Sequence, residues 1–210
     1  MRKTILALAG LTWLSACDLG ITLPGFGRDM TGDGIRTLAL LDGAVRVRGP
    51  DGYCVDPSAS AASSGFAIMA GCAVLSKRGG TMPDRAGLIT VQFGAPGSAL
   101  VGAGAADLAD MLREDSGQGL LSSGEAGVEV GEVEVDGTRV MVRFEDHAGA
   151  PVPGTTPKVW RGFTDIEDRL VTVSVLAYDR DPLTTEAGRT LLEAALRALK
   201  DVNQPTPSDA

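Results

Sequence analysis

Thiol and imidazole side chains are few in this 210-residue chain: the cysteines Cys17, Cys54 and Cys72, and one histidine, His147. A thiol can serve as nucleophile, metal ligand, disulfide partner or acylation point, and its surroundings decide among these roles. His147 lies in the acidic stretch "EDHAGAP", where Asp146 or Glu145 could orient it as a general base. A hydrolase would also need a placed nucleophile. "GAPGSALVG" and "GLLSSGEAG" set serines beside glycines, but neither contains Gly-x-Ser-x-Gly. The expected role of His147 is therefore that of a partnered loop residue, and no catalytic residue is assigned.

Other patterns stop short of a site. Asp29, Thr31, Asp33 and Gly34 have the spacing that opens an EF-hand loop, but Leu40 stands where a bidentate glutamate is needed and Asp42 comes two residues late. "GAGAAD" lacks the third glycine and the βαβ setting of a dinucleotide site, and no P-loop occurs. No metal ligand set and no cofactor are expected. The clusters "RGFTDIEDR" and "DRDP" are expected to face water.

Cys17 is decided by what precedes it. Arg2 and Lys3 form a positive start, and Thr4 to Leu14 is a nearly uncharged apolar run, too short to span about 30 Å of hydrocarbon. Leu14-Ser15-Ala16-Cys17 then follows. Residues 1–17 resemble the start of bacterial lipoproteins, in which an aliphatic residue and two small ones precede the cysteine. The resemblance implies a diacylglycerol thioether on Cys17, cleavage before it and acylation of the new N-terminus. Several acyl chains, at about 0.8 kcal/mol per buried CH₂, hold a protein durably on a membrane. Asp18 resembles the signal that keeps such proteins in the inner membrane of enteric bacteria; the outer membrane is the alternative location.

Cleavage before Cys17 removes two of the 19 basic residues and none of the 27 acidic ones, leaving a net charge of −10. That argues against nucleic acid and against a polybasic lipid-binding face. Aromatics are scarce at 4%, so the core must be built mainly from Val, Leu, Ala and Ile. Cys54 and Cys72, an even pair in a chain sent to an oxidising compartment, are expected to form a disulfide. Their spacing is far from C-x-x-C.

The remaining pattern sets the fold. Residues 18–34 read as a tether, "AVRVRG" as a strand, "GYCVDPSASAASSG" as a turn-rich loop, "FAIMAGCAVLS" as a strand covered on both faces and "GLITVQF" as a further strand. Leu100, Val101, Ala105, Leu108, Met111 and Leu112 recur at helical spacing. "VEVGEVEVDGTRVMVRFE" predicts a hairpin turning at Asp136-Gly137, pairing Val133 with Val140 and Glu134 with Arg139, with a β-bulge at Gly131. "KVWRGFTDI" and "RLVTVSVLAY" predict a second hairpin around Glu167-Asp168. Thr184 or Thr185 should cap a final helix burying Leu191, Leu192, Ala195, Leu196 and Leu199.

Together these predict an α+β fold, an antiparallel sheet with at least two amphipathic helices packed on it. The expected organisation is a signal peptide over 1–16, a lipidated N-terminus and tether over 17–40, one domain over 41–201 and a disordered tail over 202–210. The closing hairpin and "YDRDPLTTEAGRTLLEAALRAL" are similar to the end of the PsbP and Mog1 type of α/β/α sandwich, which implies a fold and no activity. "GYCVDPSAS … GCAVLS" resembles a little-characterised set of alphaproteobacterial lipoproteins. Two enzyme names attached to that set, dihydroxy-acid dehydratase and cation-transporting ATPase, fit no residues here.

The functional expectation is a membrane-anchored envelope lipoprotein with a periplasm-facing domain. Its role would be non-enzymatic binding, accessory or structural, and its partners the membrane, through lipid on Cys17, and another envelope protein. The alternatives are a small periplasmic hydrolase around His147 and a small-ligand binding module. The module would need a concave apolar pocket of several hundred Å³ between the sheet and a helix.

Overall fold

A computed structural model describes residues 34–76, 80–122, 124 and 126–204. Its centre is the hairpin of Thr155–Ile166 and Arg169–Tyr178, which pairs Ile166 with Arg169 across the Glu167-Asp168 turn. Five further strands extend the sheet: Tyr53–Ala61, Phe66–Gly71, Gly87–Phe93, Val128–Asp136 and Arg139–Asp146. A separate two-stranded ribbon joins Thr37–Leu40 to Val45–Arg48. In chain order these are β1 and β2 (the ribbon), β3 to β7, and β8 and β9 (the central hairpin). The seven-stranded sheet runs β3-β4-β5-β9-β8-β7-β6, and every neighbouring pair is antiparallel. Four helical segments accompany it: α1 (Cys72–Leu75), α2 (Val101–Arg113), α3 (Asp115–Gln118) and α4 (Thr185–Val202).

The two long helices cover opposite faces of the sheet, because each strand alternates its apolar residues between them. On one face α4 and the ribbon bury Leu191, Leu192, Leu196 and Leu199 against Ile89, Val91, Val173 and Val175. On the other, Leu108, Ala109 and Leu112 of α2 meet Val140, Val142, Phe144 and Phe163. This is the α+β architecture expected, an antiparallel sheet between packed helices. Met111 departs from the expected stripe and is 44% exposed: Leu108, Ala109 and Leu112 form the buried arc of α2, and at about 100° per residue Met111 falls outside it.

α4 begins as expected: the Thr184 hydroxyl accepts the Ala187 N–H at 3.1 Å. It runs very close to the sheet. A Cβ added to Gly162 would lie 2.9 Å from Leu196 Cδ1, and one on Gly188 only 2.7 Å from Trp160 Cδ1. Any side chain at either place would push helix and sheet apart.

Three local expectations are corrected. The "GYCVDPSAS" loop is β3, an edge strand. Its ladder to β4 is interrupted between Asp56 and Ala61, where Asp56 takes the Ser58 and Ala59 N–H groups, and Pro57 is tolerated because the strand is at an edge. Those bonds, with one from the Ser58 hydroxyl first among them, hold the Asp56 carboxyl below its usual pKa. Cys72 lies just beyond β4, as the first residue of α1. The β6–β7 turn is Gly137-Thr138, which shifts the pairing by two residues: Asp136 faces Arg139 and Val135 faces Val140. Gly137 has φ +59°, the glycine-first pattern of a two-residue turn. The bulge appears where expected, as a register shift between Val130 and Val133 that spans Gly131.

The ordered domain also reaches further at both ends than the expected 41–201. β1 precedes residue 41, and the Ile35 carbonyl accepts the Val55 N–H at 2.7 Å. Asn203 exchanges hydrogen bonds with the backbone of Arg46, tying the end of α4 to β2. The cluster "RGFTDIEDR" is not simply solvated. Asp165 accepts the Leu100 and Gly102 N–H groups at 3.1 and 2.7 Å, capping α2 from the end of β8, and Asp168 accepts Gly97 N–H at 2.9 Å. Caps of this kind contribute about 1 kcal/mol.

Candidate functional site: an apolar pocket beside the start of α4

The residues singled out for chemistry do not converge. Cys17 and the Asp29, Thr31 and Asp33 stretch lie outside the described residues. Cys54 and Cys72 are fully buried with their sulfurs at bonding distance and their Cα atoms 4.8 Å apart, joining edge strand β3 to the end of β4. His147 is exposed on the turn after β7, where its backbone N–H donates to the Gly127 carbonyl. Its neighbour Asp146 points inward and is 3% exposed, accepting the Ala148 N–H. Ser98 is engaged structurally: its hydroxyl donates to the Ala95 carbonyl and accepts the Leu170 N–H. Among the described residues no cluster of three His, Cys, Asp or Glu could hold a metal, and no helix is long and apolar enough to cross a membrane.

A half-buried charge packs on the α2 face. Arg161 donates to Ser174 Oγ at 3.0 Å and to the carbonyls of Leu120 and Leu121 at 2.9 and 3.2 Å, with its guanidinium 5.1 Å from the centre of the Phe144 ring. Burial lowers its pKa, and the charge of Asp146 opposes that. These bonds pin the segment after α3 to the sheet. The role is structural.

The opposite face carries several concavities, among them one of about 380 Å³ between the β6–β7 turn and Leu196, Arg197 and Lys200 of α4. Another, about 420 Å³, lies between the second half of α4, the β2–β3 connection and residues 83–85. Arg48, Arg85 and Arg197 line it alongside Asp51, Asp84 and Asp201. The buried Tyr53 hydroxyl donates to the Arg85 carbonyl at 2.6 Å, and desolvation raises its pKa well above the usual tyrosine value. Six charges of both signs suit a polar macromolecular surface better than a small apolar ligand.

A third concavity, about 290 Å³, has the form expected of a ligand module. β7, β8 and β9 put Arg143, Trp160 and Val175 in one transverse row, since Arg143 pairs with Trp160 and Trp160 with Val175. Trp160, Val175 and Ala177 are buried and line the pocket with Pro182 and Leu183, which lead into α4. The Trp160 Nε1–H donates to the Thr185 carbonyl at 3.0 Å, so its polar atom is satisfied. The glycine at 188 lets α4 close over the indole, and that contact fixes the back wall.

Polarity enters from one side. Arg143 and Lys158 border the pocket, with Thr184 and Thr185 at the positive end of α4. Lys158 has Glu145 at 3.9 Å, whereas half-buried Arg143 has no ion-pair partner among the described residues. The reading of "KVWRGFTDI" as a strand missed this pocket. Lys158 and Trp160, two apart, signal a shared face; Arg143 and the α4 wall come together only through tertiary pairing.

No protein-family model matches the chain, and no curated protein does. Among solved structures, the Ran-binding protein Mog1p of Saccharomyces cerevisiae is similar at 17% identity, over 79% of this chain and 88% of that one, with a TM-score of 0.37. A point mutant of Mog1 is similar at 18% identity, over 79% and 89% of the two chains, with a TM-score of 0.37. Neither likeness extends to function.

Proposed function

We propose that this protein is a bacterial envelope lipoprotein. Lipid on Cys17 holds it on a membrane, and its domain faces the periplasm in a non-enzymatic binding or accessory role. The observation that carries the reading is Leu14-Ser15-Ala16-Cys17 directly after an apolar run too short to span a bilayer. Between Cys17 and Gly34 the chain can reach at most roughly 60 Å, enough to hold the domain clear of headgroups. A buried cysteine pair at bonding distance suits an oxidising compartment. The mixed-charge cleft offers a polar surface to an envelope protein. Asp18 favours the inner membrane.

In-cell crosslinking of the anchored protein, followed by mass spectrometry against a Cys17→Ala control, tests the accessory role. The expected result is one abundant envelope partner, lost from the control. A crosslink pattern without any specific partner would contradict it.

The small-ligand module is a second reading, favoured by the apolar pocket between the sheet and the start of α4. The hydrolase reading has no such support, since His147 is exposed and Ser98 is held in a structural pair of hydrogen bonds.

A further inference from the structure

We propose that the pocket over Trp160 binds a small amphiphilic anion of the medium-chain carboxylate class. The apolar part would lie on Trp160, Val175 and Ala177, and the head group would face Arg143. The inference rests on the ligand-module reading and adds the chemistry of the ligand.

Three observations select that chemistry. At about 290 Å³ the cavity sits at the small end of ligand pockets, which excludes a full phospholipid or a folded peptide segment. Its floor offers no free hydrogen-bonding atom from Trp160, whose indole N–H is committed to Thr185, so the body of the ligand must be apolar. The charges at its border are of one sign. Arg143 and Lys158 stand on the strand side and the positive end of α4 on the other. Glu145 offsets Lys158 in part at 3.9 Å, which leaves Arg143 as the principal counter-charge.

Arg143 is also placed for the task. It is the direct cross-strand neighbour of Trp160 and lines the pocket, with its guanidinium extended toward Gly131 of β6, so the head group of a ligand resting on the indole would meet it at the pocket border. A planar guanidinium matches a carboxylate through two parallel N–H···O bonds. The rest of the protein is strongly acidic, so a cationic border around an apolar floor departs from the overall charge.

Trp13 lies in the leader, so Trp160 is the only tryptophan from Cys17 onward, and its emission reads this pocket alone. The experiment titrates decanoate and, separately, 1-decanol into the mature chain carrying Cys17→Ala, with and without Arg143→Gln. Arg143 is half-buried at the pocket border, and the urea midpoint of each protein is recorded as a folding control. The expected result is a saturable change in Trp160 emission with decanoate, about tenfold tighter than with decanol, and loss of that preference in Arg143→Gln. Equal binding of both probes would leave the ligand-module reading standing and overturn the anionic head group. A decanoate preference unchanged by Arg143→Gln would overturn the role of Arg143. No saturable response to either probe would overturn both the inference and the ligand-module reading.

Discussion

Leu192→Ala lowers the stability of the domain by about 2–5 kcal/mol, in the upper half of that range. Leu192 is fully buried, and its methyl groups lie over the backbone at Gly162, within 3.2–3.4 Å of where a Cβ would be. Truncation therefore leaves a void floored by strand backbone. No side chain at Gly162 can swing into it, and β8 cannot rise without breaking its ladders to β7 and β9. Cavities that cannot collapse cost the most. At roughly 2–4 °C per kcal/mol for a domain of this size, the melting temperature falls by on the order of 10 °C. Lys200→Ala, on the exposed side of the same helix, changes stability by less than about 0.5 kcal/mol. Urea denaturation of both variants checks this, and equal losses would show that α4 is not held by the Leu192 face.

Reduction of the Cys54–Cys72 bond is the second large effect. The bridge closes a loop of sequence separation 18, worth about 3 kcal/mol through its constraint on the unfolded chain. The folded state changes little, because β3 stays paired with β4 from Tyr53 to Asp56 and both sulfurs are buried. The denaturation midpoint of the wild-type protein should thus fall on adding reductant, while the double variant Cys54→Ala, Cys72→Ala should ignore it. An identical midpoint with and without reductant would contradict the bridge, as would labelling of both thiols in the denatured, unreduced protein.

Much of the frame could be read from local pattern, and the failures share a physical cause. β5, the β8–β9 hairpin and the buried stripe of α4 are long and periodic, so local pattern and tertiary burial agree. The bulge at Gly131 followed from a phase change among the valines of β6, since one extra residue is needed to return Val128 and Val130 to the buried side. β3 was misread because an edge strand may carry proline, serines and an aspartate that bonds its own backbone, which is also the signature of a loop. β1, Thr-Leu-Ala-Leu, carries no apolar–polar alternation, whereas the equally short β2 alternates Val and Arg. The hairpin turn moved because one glycine can supply positive φ at either turn position, and Asp136 is paired with Arg139, with which it also forms an ion pair.

The pocket was legible only as a shape to look for. Its floor comes from two strands, its cation from a third and its wall from the approach to α4, residues spread from 143 to 188. No motif links them. The roles of Asp165 and Asp168 were hidden for the same reason: a carboxylate facing water and one capping a helix some 65 residues away look alike in sequence.

The central claim is that lipid on Cys17 anchors this domain. The most direct test is mass spectrometry of the N-terminal peptide of the full-length protein expressed in a bacterium, with membrane fractionation of Cys17→Ala beside it. The expected result is a mature chain beginning at Cys17 and carrying diacylglycerol, and a Cys17→Ala protein that is neither lipidated nor cleaved before residue 17. An unmodified N-terminus at another residue, or membrane attachment and processing unchanged in Cys17→Ala, would contradict it.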